Sequence, residues 1–244
     1  MLKNTQEIYG DKLAASDGDI GHVQDFYFDD TSWAVRYVVA DTGSWLTGRL
    51  VLLAPHALGR LEQAEKLLAV NLTRAQIERS PSIETHRPVS RQHEEEYYRY
   101  YGQMPYWEAG GMTGVAGSPA IAPPATPELR PHHGHNQRDD LHLRSTKAIA
   151  GYQIVAMDGA VGSVSGFMFD EKSWTIRDVV VETGHWFAGK AVLISTDRIT
   201  RISYEESTVF VNLTKADIKR TAENEVAKTH VRKQEEAPKV GVIR

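Results

Sequence analysis

Six side chains with the chemistry of metal ligands stand close together in the middle of the chain: His132, His133, His135, Asp139, Asp140 and His142. Imidazole and carboxylate groups of this kind suit zinc or nickel. Their spacing follows neither a helix nor a strand, and they adjoin a tract of Gly, Pro and Ala. A solvated linker is therefore expected, with no metal and no other cofactor assigned. The chain has no cysteine, which removes thiolate ligands, a disulfide framework and a cysteine nucleophile. Any remaining catalytic set must be sought among Ser, His, Asp and Arg, and the chain offers its own control for that search.

The control is a repeat. DGDIGHVQDFYFDDTSWAVRYVVADTGSWLTGRLVLL, from Asp17, returns as DGAVGSVSGFMFDEKSWTIRDVVVETGHWFAGKAVLI, from Asp158, at a constant offset of 141. Roughly two positions in five are identical, far above chance for a repeat search. A catalytic set inherited by both copies would survive in this comparison, and none does. His22 meets Ser163, His56 meets Asp197, and His185 meets Ser44; the shared serine, Ser32 and Ser173, sits in a turn. No catalytic residue is assigned, and the chain is expected not to be an enzyme.

Three groups remain as candidates for binding a partner. Arg36 and Arg177 stand in the middle of apolar strands, where a stem packed on the sheet and a head paired to a carboxylate are expected, with anion binding as the sharper alternative. Trp45 and Trp186 lie between glycines at hairpin tips, TGSWLTGR and TGHWFAGK. Each indole either plugs an open barrel end or projects as an aromatic anchor. Tyr97, Tyr98, Tyr100 and Tyr101 form an aromatic patch at helical spacing, expected to dock its helix onto a barrel or else to meet a partner.

The elements that must position these residues are short strands. In the first copy Lys12–Ala15, Ile20–Phe28, Trp33–Ala40, Leu50–Leu53 and Leu67–Leu72 read as strands, with glycine turns between them and Pro55–Leu61 as a connector. About six short strands per copy at this spacing predict a small all-β barrel. Trp33, Val35, Tyr37 and Val39 would share one face, yet Val38 and Ala40 on the other are apolar too, so both faces should be covered. Each copy closes on a helical turn capped by Thr73 or Thr214, with Pro81 stopping the first at Ser80. The caps also account for the sequon-like Asn71-Leu72-Thr73 and Asn212-Leu213-Thr214.

The organisation follows: barrel 1 over residues 1–81, a helix at about 90–101 and a Pro/Gly-rich linker within 82–141, barrel 2 over 142–222, and a charged tail, 223–244, expected to be disordered. Each barrel is near the lower size limit for an independent core, so the two should pack on each other by a pseudo-twofold contact, within one chain or between chains. The net charge is −4, with no basic stripe of the kind that nucleic acid requires. The first residues lack a signal peptide's apolar core and no apolar run approaches bilayer length, so no membrane insertion is expected, only peripheral contact.

The signature carried by Asp17, Gly21, Val23, Phe26, Phe28, Asp29, Trp33, Arg36, Val38, Val39, Thr42, Gly43, Trp45, Gly48, Val51 and Leu52, and by their counterparts 141 residues later, resembles the PRC-barrel family. The segment SPSIETHRPVSRQHEEEYYRYYG resembles the linker of bacterial proteins with two such barrels. The resemblance implies two PRC-type β-barrels and a non-enzymatic, cytoplasmic binding or assembly module. Its partner would be a protein of unknown identity, and the barrels could also self-associate. The family's settings suggest an alternative, an accessory of a membrane electron-transfer or photosynthetic complex, like the soluble part of the reaction-centre H subunit. A third is a ribosome-associated factor, which the charge disfavours.

Overall fold

The computed structural model describes residues 1–80, 99–100, 142–184, 187 and 189–223. The first repeat contributes β1 (Leu2–Asn4), β2 (Lys12–Ala15), β3 (Gly18–Asp29), β4 (Val35–Asp41), β5 (Leu50–Leu53), β6 (Leu58–Glu62) and β7 (Leu67–Val70). The second contributes β8 (Leu143–Ser145), β9 (Gln153–Ala156), β10 (Gly159–Asp170), β11 (Thr175–Thr183), β12 (Ala191–Ser195), β13 (Ile199–Ser203) and β14 (Thr208–Val211). Helices are short, and the fold is all-β.

Two seven-stranded sheets result, in the order β5-β4-β3-β2-β7-β6 and β12-β11-β10-β9-β14-β13, each with one further strand joined to its long central strand. That further strand comes from the other half of the chain. β1 pairs with β10, placing Leu2 opposite Asp170 and Asn4 opposite Met168. β8 pairs with β3, placing Leu143 opposite Asp29 and Ser145 opposite Tyr27. Each sheet thus has the six strands of its own that the spacing predicted, plus one donated reciprocally. The ladders are barrel-like but do not close, since β5 and β6, or β12 and β13, end each path.

The same pseudo-twofold relation continues through the interior. The Val35 amide donates to the Trp174 carbonyl at 2.7 Å, and the Ile176 amide to the Trp33 carbonyl at 2.8 Å. Phe26 meets Phe169 with ring centroids 5.6 Å apart, and Phe28 meets Phe167 at 5.5 Å. One hydrophobic core therefore runs through both halves, from Leu13 and Leu68 to Ile154 and Ile218. The mutual packing expected from the size of each repeat occurs here within a single chain.

Bulges decide which face each side chain takes. In β4 the register steps from Tyr27↔Tyr37 to Phe28↔Val35, so Arg36 is the extra residue, and in β11 Arg177 is skipped between Met168↔Asp178 and Phe169↔Ile176. A bulge shifts the alternation by one. Val35 accordingly joins Val38 and Ala40 in the shared core, while Tyr37 and Val39 form a separate outer cluster with Leu52, Ala54 and Leu143. Trp33 corrects the strand reading: it lies in a turn before β4 with φ 58°, as Trp174 does with φ 51°. Its ring stacks on Phe28 at 5.4 Å, and that of Trp174 on Phe169 at 5.2 Å.

Two further differences are local. The connector Pro55–Leu61 holds a 3-10 turn, Pro55–Ala57, and then strand β6. The first terminal helix spans Arg74–Glu78, two residues short of the stop set by Pro81, because Ser80 turns back to donate its hydroxyl to the Ile77 carbonyl. Its counterpart is helical over 215–223, where no proline follows. Glycine is required where strands nearly touch: a Cβ at Gly21 would lie 1.9 Å from the Asp41 carbonyl oxygen, and at Gly162 2.0 Å from that of Glu182.

Candidate functional site

The polar residues common to both repeats are the natural place to look for conserved chemistry, and they are held by the backbone. Asp17 accepts from the Arg74 amide at 2.7 Å, and Asp158 from the Lys215 amide at 2.9 Å. Each carboxylate thus supports the start of its terminal helix from 57 residues away. Thr73 caps that helix through the Gln76 amide at 3.3 Å, and Thr214 does so through the Asp217 amide at 3.2 Å, as the sequence predicts. Thr42 donates to the Arg49 carbonyl at 2.7 Å, and Thr183 to the Lys190 carbonyl at 2.7 Å, closing the two hairpin tips.

Asp29 and Asp170 organise the turns that carry the left-handed tryptophans. Asp29 accepts from the Ser32 amide at 2.8 Å and the Thr31 amide at 3.0 Å. Burial opposes its ionisation, but the Ser32 amide and hydroxyl, the Thr31 amide and Arg36 outweigh burial and hold its pKa below the usual carboxylate value. Asp170 falls to about 2, chiefly through the Ser173 and Lys172 amides. These shifts belong to anion-accepting turns, a structural use of charge.

Arg36 reaches Asp29 at 3.4 Å and the Ser32 hydroxyl at 3.2 Å, so its head meets a carboxylate as the sequence suggested. Arg177 is different: it is exposed and takes no ion pair among the described residues. Neighbouring Asp178 has its pKa raised by burial and by Asp197, against the opposing pull of Arg177. The two arginines share the bulge but not the partner, so they do not form a duplicated anion site.

Trp45 lies half-buried against the shared core, together with Leu46. The guanidinium of Arg74 sits 4.6 Å from its ring centroid, a cation–π contact that ties the tip to the terminal helix. The tip itself bends through Gly43, Thr47 and Gly48, all with positive φ. In the second repeat Phe187 packs on the same core, with the Lys190 ammonium 5.4 Å above its ring. The first tip folds back, which is the plug arrangement for Trp45. Trp186 lies outside the described residues, as do Tyr97, Tyr98 and Tyr101 and the histidines of the linker other than His142. Tyr100 is described: residues 99–100 are helical, and its hydroxyl donates to the Gln76 carbonyl at 2.9 Å. His142 lies 2.9 Å from Asp30 and 3.2 Å from the Thr31 hydroxyl. Among the described residues no cluster of His, Asp and Glu could hold a metal ion.

The most elaborate polar cluster joins the two halves, and comparing repeats conceals it because it occurs once. Asp25 is buried and accepts from the Thr146 hydroxyl at 2.8 Å, the Phe26 amide at 2.7 Å, the Lys147 amide at 3.2 Å and the Ser145 hydroxyl. It therefore caps the short helix Thr146–Ile149 of the other half. The Tyr9 hydroxyl lies 2.7 Å from Thr146 Oγ1. Since that oxygen donates to Asp25, Tyr9 is the donor of the pair. Burial, with Asp25 adding to it, pushes the Tyr9 pKa up to about 12. The counterparts of Asp25 and Tyr9 are Gly166 and Ala150. A Cβ at Gly166 would sit 3.0 Å from both Asn4 Oδ1 and Gln6 Cγ, so side chains of the donated segment fill the place of the carboxylate.

A family model described as the PRC-barrel domain matches residues 145–218, from the capping Ser145 into the first turn of the terminal helix of the second half. A comparison with curated proteins gives no match.

Proposed function

We propose that this chain, which carries a PRC-barrel domain at residues 145–218 and the same fold repeated before it, is a non-enzymatic binding and assembly module of the cytoplasm. The observation behind this reading is the use made of the shared polar residues. Asp17, Asp29, Thr42 and Thr73, with their counterparts, direct their hydrogen bonds at turns, tips and helix starts. Chemistry inherited by both copies would need some of these groups aimed at a common cavity. What differs between the halves is surface and seam, which is where a module that discriminates partners carries its information. The cysteine-free composition suits a reducing compartment, and among the described residues no helix is long and apolar enough to cross a membrane.

The test combines fractionation with affinity capture. The full chain, tagged and expressed in its source cells, should sediment with one stoichiometric protein partner, and the fraction that holds it should be neither the ribosome peak nor an integral membrane pellet. A chain that runs free of any partner and turns over a small molecule in an unbiased metabolite screen would overturn the reading.

A further inference from the structure

The two donated strands create two seams, related by the pseudo-twofold, and the seams are built from different side chains. At the second, Arg144 on β8 pairs with Asp30 at 2.5 Å and lays its guanidinium 4.2 Å from the ring centroid of Tyr204. Tyr152 meets that ring edge-on at 6.0 Å. At the first, the counterparts of Arg144, Asp30, Tyr204 and Tyr152 are Lys3, Glu171, Gln63 and Asp11. The cation and the carboxylate are kept: Lys3 Nζ lies 3.8 Å from Glu171 Oε2 and 2.7 Å from Gln63 Oε1. Both aromatic rings are missing. A groove of about 640 Å³ opens there, walled by Phe169, Trp174, Leu61 and the strand β6.

We infer that this groove receives a tyrosine side chain from an extended peptide segment of a protein partner, in the place where the partly exposed Tyr204 ring lies against Arg144 at the second seam. Three observations on the groove carry this. Lys3 is a buried cation at the position from which Arg144 covers a ring, and a cation over an aromatic face is attractive. Acidic Glu62, Glu65 and Glu171 balance Lys3, Arg60 and the Met1 ammonium along the lining, which suits a neutral ring better than a phosphate or a carboxylate. β6 ends its sheet and pairs only with β7 among the described residues, so backbone groups at a sheet edge run beside the groove, the feature that extended peptides use for added-strand binding. The inference rests on the binding-module reading and names where and how such a partner would dock.

The experiment uses the full chain labelled with nitrogen-15. The probe is the peptide Ac-Val-Thr-Tyr-Thr-Val-NH2, with the alanine analogue of its tyrosine as control. Titration should move the amides of 59–65 and the Trp174 indole saturably, and the alanine peptide should bind at least about tenfold more weakly, the scale expected for removing an aromatic anchor. Gln63→Tyr should fill the groove from within, as Tyr204 does at the other seam, and remove these shifts while leaving the melting temperature unchanged or raised. Lys3→Met keeps the apolar stem and should weaken the tyrosine peptide alone. Equal binding of both peptides, shifts that persist in Gln63→Tyr, or no shifts at about 5 mM peptide, where even millimolar affinity is visible, would each overturn the inference. A Gln63→Tyr chain that still captures its cellular partner would remove the groove and leave the module reading intact.

Discussion

Replacing Asp25 with alanine isolates the device that locks the two halves together. The carboxylate receives four hydrogen bonds, two from backbone amides and two from hydroxyls. Bonds to a charged acceptor are each worth about 1.5–3 kcal/mol, but the full sum overstates the loss. Ser145 is only partly buried and can turn to water, and the exposed flank of the Thr146–Ile149 helix can do the same for the Lys147 amide. The Phe26 amide and the Thr146 hydroxyl are buried and exchange a charged acceptor for a neutral one, Thr146 Oγ1 at 3.4 Å for the amide and the Tyr9 hydroxyl at 2.7 Å for Thr146, a loss of about 1.5–3 kcal/mol each. Relief from burying the carboxylate offsets part of this, so the net cost should be about 3 kcal/mol. Urea denaturation at neutral pH measures it as a lower midpoint at constant slope. The second half supplies an internal rescue, because it solves the same junction without a charge. There the Thr5 hydroxyl accepts the Phe167 amide at 3.2 Å, and Gln6 donates to the Ser165 carbonyl at 2.8 Å. The triple change Asp25→Gly, Ser145→Asn, Lys147→Gln should therefore recover most of the stability that Asp25→Ala loses. A cost of Asp25→Ala below about 1 kcal/mol, the ordinary value for a single neutral hydrogen bond, would refute the cross-cap account.

Three further outcomes follow from the same geometry. Tyr9 has a folded-state pKa of about 12 against 10.0 for the free side chain, so the folded chain holds a proton that the unfolded chain releases; stability should be complete below pH 10, fall as pH rises from about 10 to 12, and fall less steeply in Tyr9→Phe when followed by denaturation midpoints. Residues 1–81 and 142–244, expressed separately, each lose a donated strand and bare part of the shared core; neither should show a cooperative thermal transition alone, mixing should restore one, and two independently stable halves would contradict the shared core. Trp45→Ala should cost about 3 kcal/mol, the low end for a large aromatic packed on a core, while Arg74→Ala should cost under about 1 kcal/mol, as for a half-exposed cation–π contact; both are read from melting curves, and an unchanged melting temperature for Trp45→Ala would restore the projecting-anchor reading.

How far the sequence could be read follows from where each determinant lies. Trp33, Gly21, Thr42 and Thr73 recur at a fixed offset, and a repeat is legible because each copy vouches for the other. Even so, the side-chain alternation misplaced Trp33 and Val35, since the one-residue bulge at Arg36 shifts the faces and has no signature in residue type alone. The strand Leu2–Asn4 escaped for a different reason. Three residues of mixed polarity carry no periodicity, and their partner, β10, is about 165 residues further along. The connector hid β6 because Gly59 and Arg60 interrupt its pattern. The proposed groove was least legible of all, because the comparison of copies discounts whatever is not shared.

That discount is the reason the seams matter. Duplication supplied two equivalent junctions, each with a cation on the donated strand and a carboxylate on the receiving turn. A symmetric pair of junctions needs no asymmetry to hold the halves together, yet Asp25 and Tyr9 reinforce one short helix only, and Tyr204 and Tyr152 fill one seam only. The reinforcement and the filled seam both involve the second half's donated segment, Leu143–Ile149, through Thr146 and Arg144. The first half's donated segment, Leu2–Ile8, has neutral Asn4, Thr5 and Gln6 where the other junction has the Asp25 cap, and it is bordered by the open groove. If the chain were only a rigid spacer, the two junctions would have had no reason to diverge in opposite directions. On the proposed reading, one junction holds the module together and the other keeps the groove offered to a partner.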